Sequence, residues 1–534
     1  MSNKYGSIDD FVQEQQNLKR KNADNGGHGK KGNTARTIGI VLCTIQLLLS
    51  LAFMGLLIYV NLLPMKYLIF IGAVLLILWA AAFLLQFRRK INIIGKVIAV
   101  AVSVVLVIGI RYVTVTNNVI DEITKKNQSK AVIAVAVLKD DPAQSLQDAS
   151  GYEFGIQKSF GRKEVDQAVE DMGKSLGKQL SITEYSSSLD LINGILDGEC
   201  RAIIINQSML STYDELYSTV INPDDDEEFS DKIRLIHTED IVVEENSETK
   251  APDTDYVTSQ CFAIYVSGND QYGDLTTTGR SDVNIIIFIN PDTKQVLLLS
   301  TPRDYWVQIP DVTGQYRDKL THAGNYGIET SIATLEQLYD CKIDYYIKIN
   351  FDSVVQIIDA LGGVNVYSEQ EFTSNAGLHF NQGYNYMDGK IAIEFVRERK
   401  HLVGGDFARG RNQMAVITAM IDKLTSPALL MNYGPLMESI EDTFSTDMPQ
   451  ENIKALVRMQ LDDNASWNVV SYAAKGTGAY DYCYTTGSQA AVVYADEASV
   501  AVAQQLIKDL KEGKTIQDPE TETDDLTNIE TTAY

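Results

Sequence analysis

The sequence predicts an α/β protein in three parts: an N-terminal anchor of three membrane helices, a small α/β accessory domain, and an α-β-α sandwich with a mixed central sheet. Three observations predict it. Apolar stretches long enough to cross a bilayer are confined to residues 37–115. Short apolar runs alternate with helix-spaced segments from residue 129 to about 240, the pattern of a small α/β domain of parallel type. Residues 283–304 carry two apolar runs around Asn-Pro-Asp-Thr-Lys, a turn sequence. That reads as a hairpin buried on both faces, so helices must cover both sides of its sheet. A length of 534 residues also exceeds one ordinary domain.

The anchor is read from residues 38–60, 67–87 and 93–113. Lys96 lies near one end of the third stretch and can snorkel to the interface. Lys19, Arg20, Lys21, Lys30, Lys31 and Arg36 precede the first span, and Arg88, Arg89 and Lys90 follow the second. The loop between the first two spans has only Lys66. The positive-inside rule then expects a cytoplasmic tail at residues 1–36 and everything beyond the spans at 37–115 on the outer side of the cell membrane. A long polar tail before the first span argues against a cleaved signal peptide. A formal net charge of -25 argues against nonspecific nucleic-acid binding, which needs a basic face.

The accessory domain is expected at residues 116–250, with strands at 131–138, 180–185 and 200–206 and helices at 162–178 and 189–198. An acidic loop at 223–231 and a polar linker at 244–255 follow it. The second soluble domain is expected at 255–512. After the hairpin come a strand at 345–351, a helix capped by Asp352 and ended by Gly362, a strand at 364–368, and an amphipathic helix at 413–427. The acidic tail at 513–534 reads as disordered. Gly-Thr-Gly at 476–478 lacks P-loop spacing and reads as a turn. Cys200, Cys261, Cys341 and Cys483 would lie where disulfides are permitted; bridges and isolated thiols are both open.

The candidate site comes from charge placement. Strands centred on Asp292 put Arg280 and Asp282 at the sheet edge that also carries Arg303, with Asp270 just upstream. Arginine presents a fork matched to phosphate oxygens, and carboxylates beside a phosphate call for a divalent cation between them. A metal–diphosphate site therefore fits this mixture, and a salt-bridged sheet edge is its plainer alternative. A second cluster lies at residues 397–413, where five basic residues meet only Glu398 and Asp406. Residues 387–396 suit a short helix capped by Asp388. Arg397 and Arg399 would point the same way if the chain is extended there. Gly404 and Gly405 allow a sharp turn, after which Asp406, Arg409 and Gln413 share one helix face. The histidines show no ligand spacing.

At these residues the chain resembles the LytR–CpsA–Psr family of bacterial cell-envelope proteins, most of all its CpsA-type capsule branch. The matching stretches are GNDQYGDLTTTGRSD (268–282), LLLSTPRDYWV (297–307), DKLTHAGNYG (318–327), NFDSVVQIIDALGGVNV (350–366), MDGKIAIEFVRER (387–399) and GGDFARGRNQ (404–413). His322 lies inside one of them. The resemblance implies a phosphotransferase that moves a glycan polymer, with its phosphate, from a polyprenyl-pyrophosphate carrier onto peptidoglycan. It implies Asp270 and Asp282 as magnesium ligands and Arg280, Arg303, Arg397, Arg399 and Arg409 as pyrophosphate-binding groups. Asp406, Arg397, Arg399, Arg409 and Gln413 are its implied catalytic positions. Asp406 is the candidate base, with Asp270 as its alternate. Many members carry an arginine where this chain has Asn412. The expected partners are the lipid-linked glycan, peptidoglycan and the membrane, with capsule-synthesis regulators at the cytoplasmic tail. A polyprenyl-pyrophosphate hydrolase and a non-enzymatic membrane sensor are the rival expectations.

Overall fold

The computed structural model describes residues 8–88, 90–125, 130–158, 161–223, 227–243, 254–269, 279–424 and 444–519. The chain divides into two compact units, Met1–Asn118 with Val457–Asp462, and Val119–Leu456 with Asp463–Tyr534.

The first unit is built on helices Ile8–Val60 and Met65–Leu85 and most of helix Asn92–Lys125, which runs on into the second. Each contains a stretch long and apolar enough to cross a membrane: Arg36–Val60, Met65–Leu85 and Asn92–Glu122. Cys43, Ala82 and Ala99 are fully buried where the helices meet, small side chains that permit close approach. The Trp79 indole donates to the Cys43 carbonyl at 3.1 Å. The third helix runs to Lys125, so residues 116–125, expected to open the accessory domain, continue the helix instead. No glycine or proline interrupts that stretch.

The accessory sheet has the order Ser181–Tyr185, Glu153–Gln157, Ala202–Asn206, Lys130–Leu138, Ile233–Val242. Helices Arg162–Leu176 and Ser188–Leu196 form where the spacing places them, the second capped by Ser187 accepting from the Asp190 amide. The sheet is only partly parallel, which corrects the expectation. The first three strands in that order run parallel, but Lys130–Leu138 pairs antiparallel with both of its neighbours. Parallel pairing needs a crossover that returns the chain to the same end, and helices make that return only between the parallel strands. The strand Ile233–Val242 went unread in the sequence.

The second sheet has six strands, ordered Phe444–Thr446, Tyr345–Ile349, Phe262–Gly268, Val283–Asn290, Gln295–Ser300, Asn468–Ala473. It is mixed: Phe262–Gly268 with Tyr345–Ile349, and Gln295–Ser300 with Asn468–Ala473, are its parallel pairs. One face packs Tyr265, Ile286, Phe288, Leu297 and Leu299 against helices Ile328–Tyr339 and Glu497–Lys511. The opposite face packs Val266, Ile285, Val296 and Leu298 against Met414 of helix Gly405–Leu424. The hairpin is thus covered on both sides, as its continuous apolar strands require. Asn290 Oδ1 accepts from the Asp292 and Thr293 amides and closes the turn.

Four local expectations change. Asn350, not Asp352, caps helix Phe351–Ala360, because its side chain reaches the Ser353 amide at 2.9 Å in a reciprocal capping box. The strand at 364–368 leaves the central sheet and pairs with Gly383–Met387. Residues 476–483 form a strand with Ser488–Ala495 rather than a turn, since an unread cross-strand partner supplies the ladder. Residues 513–519, expected within a disordered tail, pack on the sheet: Ile516 is 3% exposed, and the Gln295 side chain bonds the backbone of Lys514 and Ile516. Residues 520–534, 244–253 of the linker and 224–226 of the acidic loop lie outside the described residues. All five cysteines are free thiols.

Candidate active site

The site lies at one edge of the six-stranded sheet. The ladder aligns Gly268 with Ile349 and with Val283, and Ser300 with Ala473, so these strand ends share that edge. In open α/β sheets such carboxyl-end edges are where ligands bind. The hairpin register pairs Ile285 with Ser300 and Asn290 with Gln295, one residue off the pairing that a turn centred on Asp292 would give. Continued outward, it sets Asp282 opposite Arg303. Arg303 Nη1 donates to Asp282 Oδ1 at 2.6 Å, and both side chains are largely buried. Burial alone would lower the Arg303 pKa; the charges of Asp282, Asp304 and Asp406 outweigh it and raise the pKa.

Helix Gly405–Leu424 completes the site. Gly404 and Gly405 hold φ of 97° and 52°, so the sharp turn before the helix needs glycine. Gly410 faces the end of the hairpin, where an added Cβ would lie 2.9 Å from Ser300 Oγ. That contact brings the first helical turns onto the sheet edge. Asp406, Arg409 and Gln413 do share a face, and they line one recess with Asp282, Arg303, Pro302 and Phe407. Asp406 forms an ion pair with Arg409. Asp406 Oδ1 is the oxygen that meets Arg409, and Arg303 Nε lies 3.7 Å from Asp304, beyond hydrogen-bond distance. The recess therefore gathers two arginines and two carboxylates, with Arg303 Nε left as a donor, a mixture that suits an anion held beside a metal ion.

Two predicted arginines lie elsewhere. Arg397 ends helix Gly389–Arg397, which Asp388 caps as expected, and its guanidinium sits 4.9 Å from the Phe351 ring centre. Phe351 follows the Tyr345–Ile349 strand, three strand spacings from Gln295–Ser300, or roughly 14 Å at ~4.8 Å each. Arg397 and Arg399 are exposed and do not line the recess. They do not lie on one extended stretch, because Arg397 is still helical. Asp270 lies outside the described residues. Among the described residues no three carboxylate, histidine or cysteine side chains converge as a metal cage.

Arg280 is at the edge but turned toward the accessory domain, donating to Glu215 at 2.7 Å. Lys319 joins Glu215 at 2.8 Å and Asp304 at 3.5 Å, and Asp304 lies 3.7 Å from Arg303 Nε. Charges thus alternate from Arg280 through Glu215, Lys319, Asp304 and Arg303 to Asp282.

A family model described as the LytR_cpsA_psr family matches residues 234–501. The chain belongs to the LytR_cpsA_psr family. Its relatives include polyisoprenyl-teichoic acid–peptidoglycan teichoic acid transferase TagU of Oceanobacillus iheyensis, 36% identical over 210 residues, which are 38% of this chain and 63% of that protein. TagU of Bacillus mycoides is 35% identical over 196 residues, 36% of this chain and 63% of the relative. The chain thus spans under two thirds of the length of these curated relatives. Similar solved structures include Bacillus subtilis TagV, at 22% identity and a TM-score of 0.40, covering 48% of this chain and 99% of that one. Another is TagT bound to LIIa-WTA, at 23% identity and a TM-score of 0.39, covering 50% and 97%.

In this family member Asn412 is a core residue. It is 5% exposed and donates to the Phe395 carbonyl at 3.2 Å, tying helix Gly405–Leu424 to helix Gly389–Arg397. Glu398, one of the few acids in the basic stretch, is also structural. Its buried carboxylate accepts from the amides of Asn375, Arg399 and His401. Burial would raise its pKa, and these hydrogen bonds hold it below the usual value. The spacing Glu398, Arg399, His401 was the available signal, since a carboxylate can accept from amides one and three residues on.

His322 does not face the recess. Its Nδ1 lies 2.6 Å from Asp318 Oδ1, with both side chains buried. The same segment carries Gly324, whose added Cβ would lie 2.4 Å from the Gly279 carbonyl oxygen and 2.9 Å from the Ser281 amide. Gly324→Ala is therefore expected to push residues 279–281 outward, at about 1–3 kcal/mol of stability. Thermal unfolding and donor turnover should both fall; an unchanged melting temperature would show that the segment yields freely.

Proposed function

We propose that this family member is a membrane-anchored phosphotransferase. It moves a glycan polymer, capsular polysaccharide being the favoured case, with its phosphate from a polyprenyl-pyrophosphate carrier onto peptidoglycan. The recess carries this reading: two partly buried arginine–carboxylate pairs, Arg303–Asp282 and Arg409–Asp406, line one sheet edge. The names of the relatives, transferases acting between a polyisoprenyl carrier and peptidoglycan, support the reaction class.

Cleaving a pyrophosphate gathers negative charge on the leaving phosphate, so positioned cations supply most of the catalysis. Arg303 and Arg409 stabilise that charge from the recess. Arg397 and Arg399, farther along the edge, bind the extended donor. Asp406 takes the proton of the acceptor sugar hydroxyl, whose oxygen bonds to the glycan-bearing phosphorus. The bond from that phosphorus to the bridging oxygen breaks, and polyprenyl phosphate leaves. Gln413 orients the hydroxyl.

The Asp282 carboxylate on the wall of the recess fits a site for magnesium, which Asp282 and Asp270 would hold. A bound magnesium ion supplies charge neutralisation between those carboxylates and the diphosphate. Three helices of spanning length hold the enzyme at the surface where its lipid donor lies. The basic flanks favour a cytoplasmic N-terminus, where capsule-synthesis regulators would bind, and an outer catalytic domain.

The test uses the full chain, magnesium and a polyprenyl-pyrophosphate-linked oligosaccharide, with and without peptidoglycan fragments. Acceptor-dependent glycan capture, lost in Arg397→Ala, is expected. Release of polyprenyl phosphate without capture would replace the transferase with a hydrolase.

A further inference from the structure

Among the described residues the accessory domain meets the charged sheet edge through Glu215. Glu215 sits in the short helix Leu210–Leu216, which its own neighbours hold rigidly. Tyr213 and Leu216 are buried in the accessory core, and Asp214 accepts from the Ser230 amide at 2.7 Å. From that fixed backbone Glu215 gives one oxygen to Arg280 and the other to Lys319.

The two cations are more buried than the acid between them: Arg280 is 12% exposed and Lys319 5%, against 37% for Glu215. The ammonium of Lys319 is committed to two carboxylates, Glu215 and Asp304. Among the described residues, Arg280 has Glu215 as its one carboxylate partner, taken through a single nitrogen. The remaining nitrogens of its planar fork stay available for a phosphate.

The domains meet beside this cluster through a second set of contacts. The Thr485 carbonyl accepts from Gln157 Nε2 at 3.0 Å and from Ser188 Oγ at 2.8 Å, and the Leu189 amide donates to Thr486. The Thr485 amide in turn donates to Asp318, the neighbour of Lys319. The accessory domain is thereby docked within one residue of the lysine that Glu215 binds.

The geometry points to Glu215 as a positioning residue: through it the accessory domain orients Arg280 for the donor pyrophosphate and, by way of Lys319 and Asp304, steadies Arg303. This rests on the phosphotransferase reading of the site. Without Glu215, Arg280 loses its tether and Lys319 retains only Asp304, drawing that carboxylate from Arg303.

The experiment compares wild type, Glu215→Ala, Glu215→Gln, Arg280→Ala and Glu215→Ala/Arg280→Ala as full chains in lipid nanodiscs with magnesium. Turnover of a polyprenyl-pyrophosphate-linked oligosaccharide gives KM and kcat, and calorimetry with inorganic pyrophosphate gives binding without chemistry. Glu215→Ala is expected to raise the donor KM about tenfold and weaken pyrophosphate binding alike, with Glu215→Gln intermediate. The double variant should lose less than the two single losses combined, because part of the Glu215 effect runs through Arg280 and part through Lys319. Three results would overturn the proposal. They are an unchanged KM, additive losses in the double variant, or tighter binding in Glu215→Ala, which would mark Glu215 as a competing anion. If wild type turns over no donor, the transferase reading fails, and the pyrophosphate-binding arm alone decides for or against Glu215.

Discussion

Replacing Arg303 by alanine is expected to reduce donor turnover by about 10²–10³-fold, the usual loss when one preorganised charge-stabilising donor is removed. The effect has two sources. The recess loses the arginine that Asp282, Asp304 and Asp406 jointly surround. Asp282, 9% exposed, also loses the cation 2.6 Å away. Removing one member of a buried pair is far more damaging than never having the pair, because the survivor stays desolvated. Arg303→Lys should recover stability more than rate, since an ammonium restores the charge but not the planar fork. Steady-state turnover alongside thermal unfolding separates the two effects. Full turnover in Arg303→Ala with a normal melting temperature would remove this residue from the site.

The second large effect is expected at Asp318, away from the recess. Its carboxylate is fully buried, lies 2.6 Å from His322 Nδ1 and accepts from the amides of Thr485 and Lys319. Burial alone would raise its pKa; the His322 charge and the hydrogen bonds from His322 and Thr485 outweigh that and lower it. Asp318→Ala should cost about 3–5 kcal/mol, the range for breaking a buried pair. The pH dependence follows from the depressed pKa. Stability contributed by the charged carboxylate is complete above the unfolded-state value of about 3.9 and is lost as pH falls through the lower folded value. The gap between wild type and Asp318→Ala, read as urea midpoints, should therefore be full at neutral pH and close in strong acid. A gap that stays constant down to pH 2 would mean that packing, not charge, holds this position.

Much of the candidate site was legible because it is encoded by short spacings. Two apolar runs around a turn sequence place Asp282 near Arg303, and the error was one residue because the turn is centred between Asp292 and Thr293. The spacing of Asp406, Arg409 and Gln413 puts them on one helix face whatever that helix packs against. Arg397 and Arg399 were harder. Their mutual direction depends on where helix Gly389–Arg397 stops, and element ends are the least determined part of such a reading.

The sequence by itself determined the three apolar helices, the buried hairpin, and the residue types that gather at its open end. Periodicity and turn chemistry act over a few residues, so they survive without knowledge of the fold. Only the tertiary structure decided which of those residues share a recess. Gly410 against Ser300 sets helix Gly405–Leu424 on the sheet edge. Glu215, 65 residues before Arg280, meets it because two separate hydrophobic cores dock side by side. Ion pairs of that separation follow from the packing of whole layers, and no local pattern in the chain announces them.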